Sequence, residues 1–189
     1  MNIHKSSNLY VISAPSGAGK TSLVKELCKK VSFISPSVSY TTRKIRKSEV
    51  EGKDYFFTNR TNFKKMASNN EFIEFQSVYG NLYGSSKTYV EQKLKDGDDV
   101  ILEIDYKGMM KIKSMYPSAI TMYIVPPSID SLRKRLICRG QDDIEVVEKR
   151  ISSAKFELSF SKFADYVIIN KNFRTALVDL ISIVLVKKL

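Results

Sequence analysis

The stretch LYVISAPSGAGKT, residues 9–21, limits this chain to a narrow set of folds. Leu9 to Ile12 form an unbroken apolar run with β-branched members, the pattern of a strand buried on both faces. Ala14, Pro15, Ser16, Gly17, Ala18 and Gly19 then force a turn. Lys20, Thr21 and Ser22 open a helical pattern whose apolar positions are Leu23, Val24, Leu27 and Val31, with its end near Lys30. A strand, a glycine turn and a helix in that order make a phosphate cradle. Gly17 and Gly19 can take positive φ and let the backbone approach an anion. The helix end offers N–H groups and positive potential, Lys20 reaches the β- and γ-phosphates, and Thr21 ligates Mg²⁺. The usual pattern has glycine where this chain has Ala14, an exchange that costs little while φ stays negative. The competing reading is an ordinary βα turn with a solvated lysine. The strand and helix context favours a nucleoside-triphosphate site.

The 189 residues suit one domain, with room for small inserted lobes and a full core. Cys28 and Cys138 lie far apart within helical patterns and read as small core residues, neither a disulfide framework nor a metal site. His4 is the sole histidine, so histidine-based catalysis and histidine-rich metal sites are not expected. No segment resembles a signal peptide, and the longest apolar run, near Ile181 to Val186, is too short to span a bilayer. A cytoplasmic protein with no membrane partner is expected. The net charge of +11 invites a nucleic-acid reading. Long basic blocks, zinc spacings and aromatic RNA-binding signatures are missing from the sequence, and charge alone gives only salt-sensitive, sequence-blind attraction. No specific nucleic-acid partner is expected. The basic groups suit a site that holds several phosphates.

Beyond the first helix, Val31 to Ser39 reads as a connector with a short strand around Val38, followed by the polar segment Ser39 to Phe57. Tyr55 to Thr58 and Phe72 to Val78 read as strands, with a brief helix around Phe63, Met66 and Ala67 between them, closed at Asn69-Asn70. Gly80 and Asn81 mark a turn before Tyr83-Gly84-Ser85, and Thr88 to Leu94 reads as a helix stopped by Gly97. Strands follow at Val100 to Ile104, ending in Asp105, and at Ala119 to Val125. Ser128 is placed to cap a helix carrying Ile129, Leu132 and Leu136, which breaks at Gly140 to Asp143. Ile144, Val147, Ile151, Ala154 and Leu158 mark one face of a long helix. Tyr166 to Ile169 is a last strand, and Leu177, Leu180, Ile181, Val184 and Leu185 mark a closing helix. The expected architecture is α/β: a P-loop core (1–36 and 97–189) with a parallel sheet flanked by helices, an inserted lobe of small strands (about 37–96), and a short helical lid (about 135–155).

The inserted segment must name the second substrate. It offers Arg43 and Arg46, then Tyr55, Glu74, Tyr83 and Ser85. Two guanidinium forks and two phenols converging on one point would suit a phosphate. A carboxylate beside them could accept the adjacent N1–H and N2–H₂ donors of guanine, with a serine reaching O6; adenine lacks that donor pair. From spacing alone, a charged and solvated β-lobe is an equal alternative.

The segments SYTTRKIRKSEVEGKDYFF, NNEFIEF, GNLYGSS and VILEID, with the APSGAGKT loop, resemble guanylate kinase of the compact bacterial type, in collinear order over nearly the whole chain. The resemblance implies ATP + GMP ⇌ ADP + GDP, a step of purine nucleotide metabolism, with ATP as co-substrate and Mg²⁺ as cofactor. Ala14 to Thr21 would then hold ATP, with Asn170 near its adenine. Ser39 and Glu74 would read guanine, Arg43, Arg46, Tyr55 and Tyr83 would hold the GMP phosphate, and Ser85, Glu103 and Asp105 would lie near the nucleotide. Thr21 would ligate Mg²⁺, with Asp105 acting through water. Arg135, Arg139 and Arg150 match lid arginines that close over the transferring phosphoryl group, catalytic together with Lys20. Ile45, Ser48 and Lys171 depart from the family pattern, where proline, glycine and an acidic residue are common. A monomer or small homo-oligomer is implied. The reaction needs no general base, because a phosphomonoester with its second pKa near ~6 is largely dianionic at neutral pH. Two rivals differ in class. A non-catalytic scaffold would be expected to lose Lys20 or the lobe arginines, and a nucleic-acid binder would rest on charge alone.

Overall fold

In the computed structural model, residues 7–47, 49–78, 80–139 and 143–188 are described, without the side chain of Arg139. His4, Ser48 and the break at 140–142 fall outside them. The glycine-loop strand β1 (Leu9–Ser13) is buried along its whole length. It lies at the centre of a five-stranded parallel sheet with β2 (Ile34–Pro36), β7 (Asp99–Glu103), β8 (Ile120–Val125) and β9 (Tyr166–Ile169), in the order β2-β7-β1-β8-β9. Alternation along β1 splits the core in two. Tyr10 and Ile12 pack with α1 (Lys20–Lys30), α5 (Ile129–Arg139), α6 (Ile144–Leu158) and α7 (Phe173–Lys188). Leu9 and Val11 pack on the other face with α3 (Lys87–Lys95) and α4 (Tyr106–Met115). A strand buried on both faces must be apolar throughout, as the Leu9 to Ile12 run demanded.

The insertion forms a four-stranded sheet in the order β4-β3-β6-β5: β3 (Ser39–Thr41), β4 (Phe56–Phe57), β5 (Phe72–Val78) and β6 (Asn81–Ser86). Helix α2 (Arg60–Ser68) covers it, capped by the Asn59 side chain. So small a sheet is held by aromatic packing: Phe63 stacks on Phe72 at 4.5 Å and Tyr40 on Phe56 at 4.9 Å. Ile73 of β5 belongs to the core cluster under the main sheet, so the lobe is tied to the core along this strand.

Several expectations need correction. No strand runs through Val38; β2 ends at Pro36 and joins the main sheet, while β3 begins at Ser39 in the lobe. Asn81 opens β6, which pairs antiparallel with both β3 and β5, so Tyr83, Gly84 and Ser85 are strand residues. Helix α4 is absent from the sequence reading. Its apolar face holds only Met109 and Ile112 as fully buried side chains, and Gly108 weakens its propensity. Cys138 is exposed and not a core residue. Ile144 is 66% exposed, so the buried face of α6 is Val147, Ile151 and Ala154. Among the described residues no helix is long and apolar enough to cross a membrane.

Candidate active site

The loop after β1 behaves as its glycines require. Gly17 (φ 88) and Gly19 (φ 94) take left-handed conformations, and Ala14 does not. Gly19 is the N-cap of α1 and has no side chain to satisfy the helix's first N–H groups, which suits a terminus that meets an anion. The loop is pinned from behind. The buried Asn170 Nδ2 donates to the Ala18 carbonyl at 2.8 Å, and Arg135 donates to the Ala18 carbonyl at 3.4 Å and to the Asn170 carbonyl at 2.8 Å. A Cβ on Gly19 would lie 2.5 Å from Asn170 Nδ2, so the brace and the glycine need one another.

Parallel pairing of β1 with β7, in the register Ile12 with Glu103, brings the carboxyl end of β7 beside the loop. Lys20 Nζ donates to the Ile104 carbonyl at 2.9 Å, and the Thr21 hydroxyl hydrogen-bonds Glu103. Burial pushes the Lys20 ammonium below its ordinary value, against the opposing fields of Glu103, Asp105, Glu157 and Glu74. Burial likewise raises Glu103 against Lys20 and Thr21. Asp105 is the N-cap of α4, accepting from the Gly108 N–H at 2.8 Å.

Across the cleft the lobe supplies side chains. Glu74 is 2% exposed and accepts from Ser85 Oγ at 3.0 Å, while Ser85 Oγ and Ser39 Oγ are hydrogen-bonded at 3.2 Å. The pairings Ser39 with Ser85 and Ser85 with Glu74 across β3, β6 and β5 create this chain. Desolvation raises the Glu74 carboxyl to about 7, with Asp105 adding to the rise and Ser85, Lys111 and Lys20 opposing it. Arg43 lies 5.4 Å over the Tyr55 ring and hydrogen-bonds Tyr83, and the two tyrosine rings meet edge to face at 6.0 Å. Burial pushes the Tyr55 hydroxyl up to about 12, so it stays a neutral donor. Arg46 shares with Arg43 a carboxylate that sequence reasoning passed over. Glu49 takes both terminal nitrogens of Arg43, at 2.8 and 3.0 Å, and the Arg46 N–H at 2.9 Å. An acid three residues after Arg46, the first in the run that begins at Arg43, was the available signal. Between lobe and α6 lies a cleft of about 390 Å³ lined by Ser77, Asp105, Tyr106, Ser153 and Glu157, among others.

The site residues thus form two groups: Gly17, Gly19, Lys20, Thr21, Glu103, Arg135 and Asn170 around the loop, and Ser39, Arg43, Arg46, Tyr55, Glu74, Tyr83 and Ser85 in the lobe. Asp105 stands between them. Arg150 is half-buried on α6, and Arg139 closes α5 with its side chain outside the described residues.

The guanylate kinase family model matches residues 6–186. The chain belongs to the guanylate kinase family. It is 45% identical over 182 residues to a guanylate kinase of Coxiella burnetii, covering 96% of this chain and 88% of that protein. It is 48% identical over 181 residues to one of Saccharophagus degradans, with the same shares covered. The crystal structure of guanylate kinase from Anaplasma phagocytophilum superposes with a TM-score of 0.83 at 31% identity, covering 98% of this chain and 88% of that one. Guanylate kinases phosphorylate GMP to GDP with ATP, and the parallel sheet flanked by helices is the architecture expected of them.

Proposed function

We propose that the glycine loop holds ATP, that the lobe holds GMP, and that Glu74 selects the base. The observation that carries this reading is the buried Ser39–Ser85–Glu74 chain beside the Arg43–Tyr55–Tyr83 cluster. A buried carboxylate with two acceptor oxygens and a hydroxyl pair, and a separate cluster of guanidinium and phenol donors, both belong to the lobe. A nucleotide with a donor pair on its base and a phosphate at its far end fits both. Guanine has that donor pair and adenine does not.

A GMP phosphate oxygen attacks the γ-phosphorus in line. Lys20 and the loop N–H groups neutralise charge on the β- and γ-phosphates, and Arg43, Arg46, Tyr55 and Tyr83 fix the attacking phosphate. Thr21 would hold Mg²⁺, with Asp105 acting through water and Glu103 beside it, since hydroxyl and carboxylate oxygens are the donors this ion takes. The ion would contribute neutralisation of phosphate charge. Arg135 braces the loop through Ala18 and Asn170 and stands at the α5 end of the 135–155 segment, from which, with Arg139 and Arg150, it would meet the phosphates when the cleft closes. Closure excludes water, which would otherwise accept the phosphoryl group. The residue divisions given above (core, lobe and lid), a cytoplasmic location and a monomer or small homo-oligomer complete the reading.

The test is kcat/KM for GMP, IMP and AMP in wild type and Glu74→Gln, with the ATP KM as control. Wild type should prefer GMP over AMP by ~10⁴-fold or more, with IMP between, because AMP leaves a buried carboxylate facing a lone pair. Glu74→Gln should narrow the GMP-to-AMP ratio and leave ATP unaffected. An unchanged ratio would assign base selection to another residue.

A further inference from the structure

The wall behind the Glu74 carboxylate is a residue with no side chain. Glu74 sits at a β-bulge: Phe72 pairs with Ser86 and Glu74 with Ser85, leaving Ile73 extra. The bulge breaks the alternation of β5, so Phe72, Ile73 and Glu74 are consecutively buried. One carboxylate oxygen, Oε1, is held by Ser85. The other, Oε2, lies against Gly108 in the first turn of α4, where a Cβ would stand 2.9 Å from it. The Gly108 N–H is committed to Asp105 at 2.8 Å, so this turn cannot slide freely along the strand. The same Cβ would lie 3.0 Å from Ile104 Cδ1 and 3.2 Å from Ile104 Cβ. Gly108 is not at positive φ, so no backbone conformation demands glycine here. What demands it is the space taken by Glu74 and Ile104.

We propose that Gly108 is a positioning residue for base selection: the bare first turn of α4 seats the Glu74 carboxylate with Oε2 against its backbone, and so fixes the pair of acceptor oxygens that meets guanine. This rests on the reading of Glu74 given above. A methyl group at 108 must move the carboxylate, move Ile104, or tilt α4. The carboxylate is the softest of these, because it ends a side chain with rotatable bonds, whereas Ile104 is packed in the core. The amino-terminal end of α4 also favours a negative charge beside it, which a displaced carboxylate would lose in part.

The first two of these routes leave different signatures, because the Ile104 carbonyl accepts from Lys20, and a tilt of α4 would disturb both sites at once. Displacement of Glu74 reads out in GMP, and displacement of Ile104 reads out in ATP. Gly108→Ala should raise the KM for GMP by ~10-fold or more, the scale of a misaligned hydrogen bond to a charged group. Its KM for ATP should change less than twofold. Glu74→Asp shortens the side chain by one methylene and withdraws the carboxylate from position 108. Adding Gly108→Ala to Glu74→Asp should therefore cost little beyond the loss caused by Glu74→Asp alone, and Ile104→Val should give no such relief. A rise in both KM values together, additive losses in Glu74→Asp/Gly108→Ala, or relief by Ile104→Val would each overturn the proposal. If Gly108→Ala does not fold, the Glu74→Asp/Gly108→Ala protein should still melt cooperatively and bind GMP as Glu74→Asp does; its failure to fold would place the crowding elsewhere. Glu74→Gln separates the two levels. An unchanged GMP-to-AMP ratio in that variant removes the role of Glu74 and with it that of Gly108, while a narrowed ratio beside a Gly108→Ala protein with normal GMP kinetics removes Gly108 alone.

Discussion

The two sides of the cleft present different parts of the polypeptide to the nucleotides proposed to bind there. On the core side the anion site is backbone, shaped by Gly17 and Gly19 and braced by Asn170 and Arg135 through the Ala18 carbonyl. On the lobe side it is side chains that hold one another: Arg43 is tied to Glu49, and Ser39 and Ser85 are tied to Glu74. The backbone site depends on conformation, so a single Cβ can ruin it while most charges around it are untouched. The side-chain site depends on which partner each charged group keeps, so it responds to isosteric substitutions and to pH. A loop of amides suits a triphosphate that must be bound without regard to its base. A set of paired side chains suits a monophosphate whose base must be checked.

Lys20 is the place where the core side relies on a side chain, and its removal should have the largest effect. Its Nζ is fixed on the Ile104 carbonyl beside Glu103, aimed along the strand ends where the β- and γ-phosphates would lie. Lys20→Ala should lower kcat by ~10²-fold or more through lost stabilisation of transition-state charge. GMP affinity in the binary complex should be little changed. Near-normal turnover in a folded Lys20→Ala protein would mean that the backbone alone supplies catalysis on this side.

Much of this division was visible in the sequence, and the reason is local. A strand, a glycine turn and a helix are contiguous, so residues 9–31 carry the core site whole. The lobe site is assembled across strands. Ser39, Glu74 and Ser85 meet only because β6 lies between β3 and β5, and β6 is hidden in the sequence because Gly80 and Asn81 read as a turn and Tyr83-Gly84-Ser85 shows no strand pattern. Glu74 could be assigned its task only through the family resemblance. Glu49 and Gly108 escaped for the same reason: one matters through a fold-back onto Arg43, the other through a space beside a residue 34 positions away.

Glu49 sharpens the contrast at an intermediate scale. Its carboxylate and the Lys44 carbonyl engage three of Arg43's five N–H donors, all on the terminal nitrogens, and Arg43 also hydrogen-bonds Tyr83. Glu49 therefore grips the guanidinium end-on, and two N–H donors, the Nε–H and one on a terminal nitrogen, lie outside the hold of Glu49 and Lys44. Its charge would hold the fork in place while those donors meet a phosphate. Glu49→Gln should raise the KM for GMP by ~10-fold and leave the KM for ATP unchanged. Tighter GMP binding in the variant would show instead that Glu49 and the phosphate contend for the same donors.

The smallest expected effect is a pH dependence confined to the lobe side. Desolvation raises the Glu74 carboxyl from an ordinary value of 4.5 to about 7, with Asp105 reinforcing it and Ser85, Lys111 and Lys20 opposing. In the free protein the folded state thus holds this proton more tightly than the unfolded chain. Its contribution to stability is fully present below about 4.5 and is lost as pH rises through about 7. Guanine needs the ionised form, because both acceptor oxygens must meet N–H donors. With half-ionisation near 7, the acceptor-competent fraction falls about threefold between pH 7.5 and 6.5, and the KM for GMP should rise by about that factor. The phosphate of GMP, with a second pKa near ~6, adds a smaller change in the same direction. Glu74→Gln isolates the two: its residual pH dependence belongs to the phosphate, and its thermal midpoint without ligand should fall less than that of wild type from pH 5 to 7.5. The KM for ATP should follow the same pH profile in both proteins, since this carboxylate is not proposed to contact ATP. A GMP profile identical in wild type and Glu74→Gln would mean that the carboxylate is already ionised at pH 6.5 and that the lobe side, like the core side, works at fixed charge.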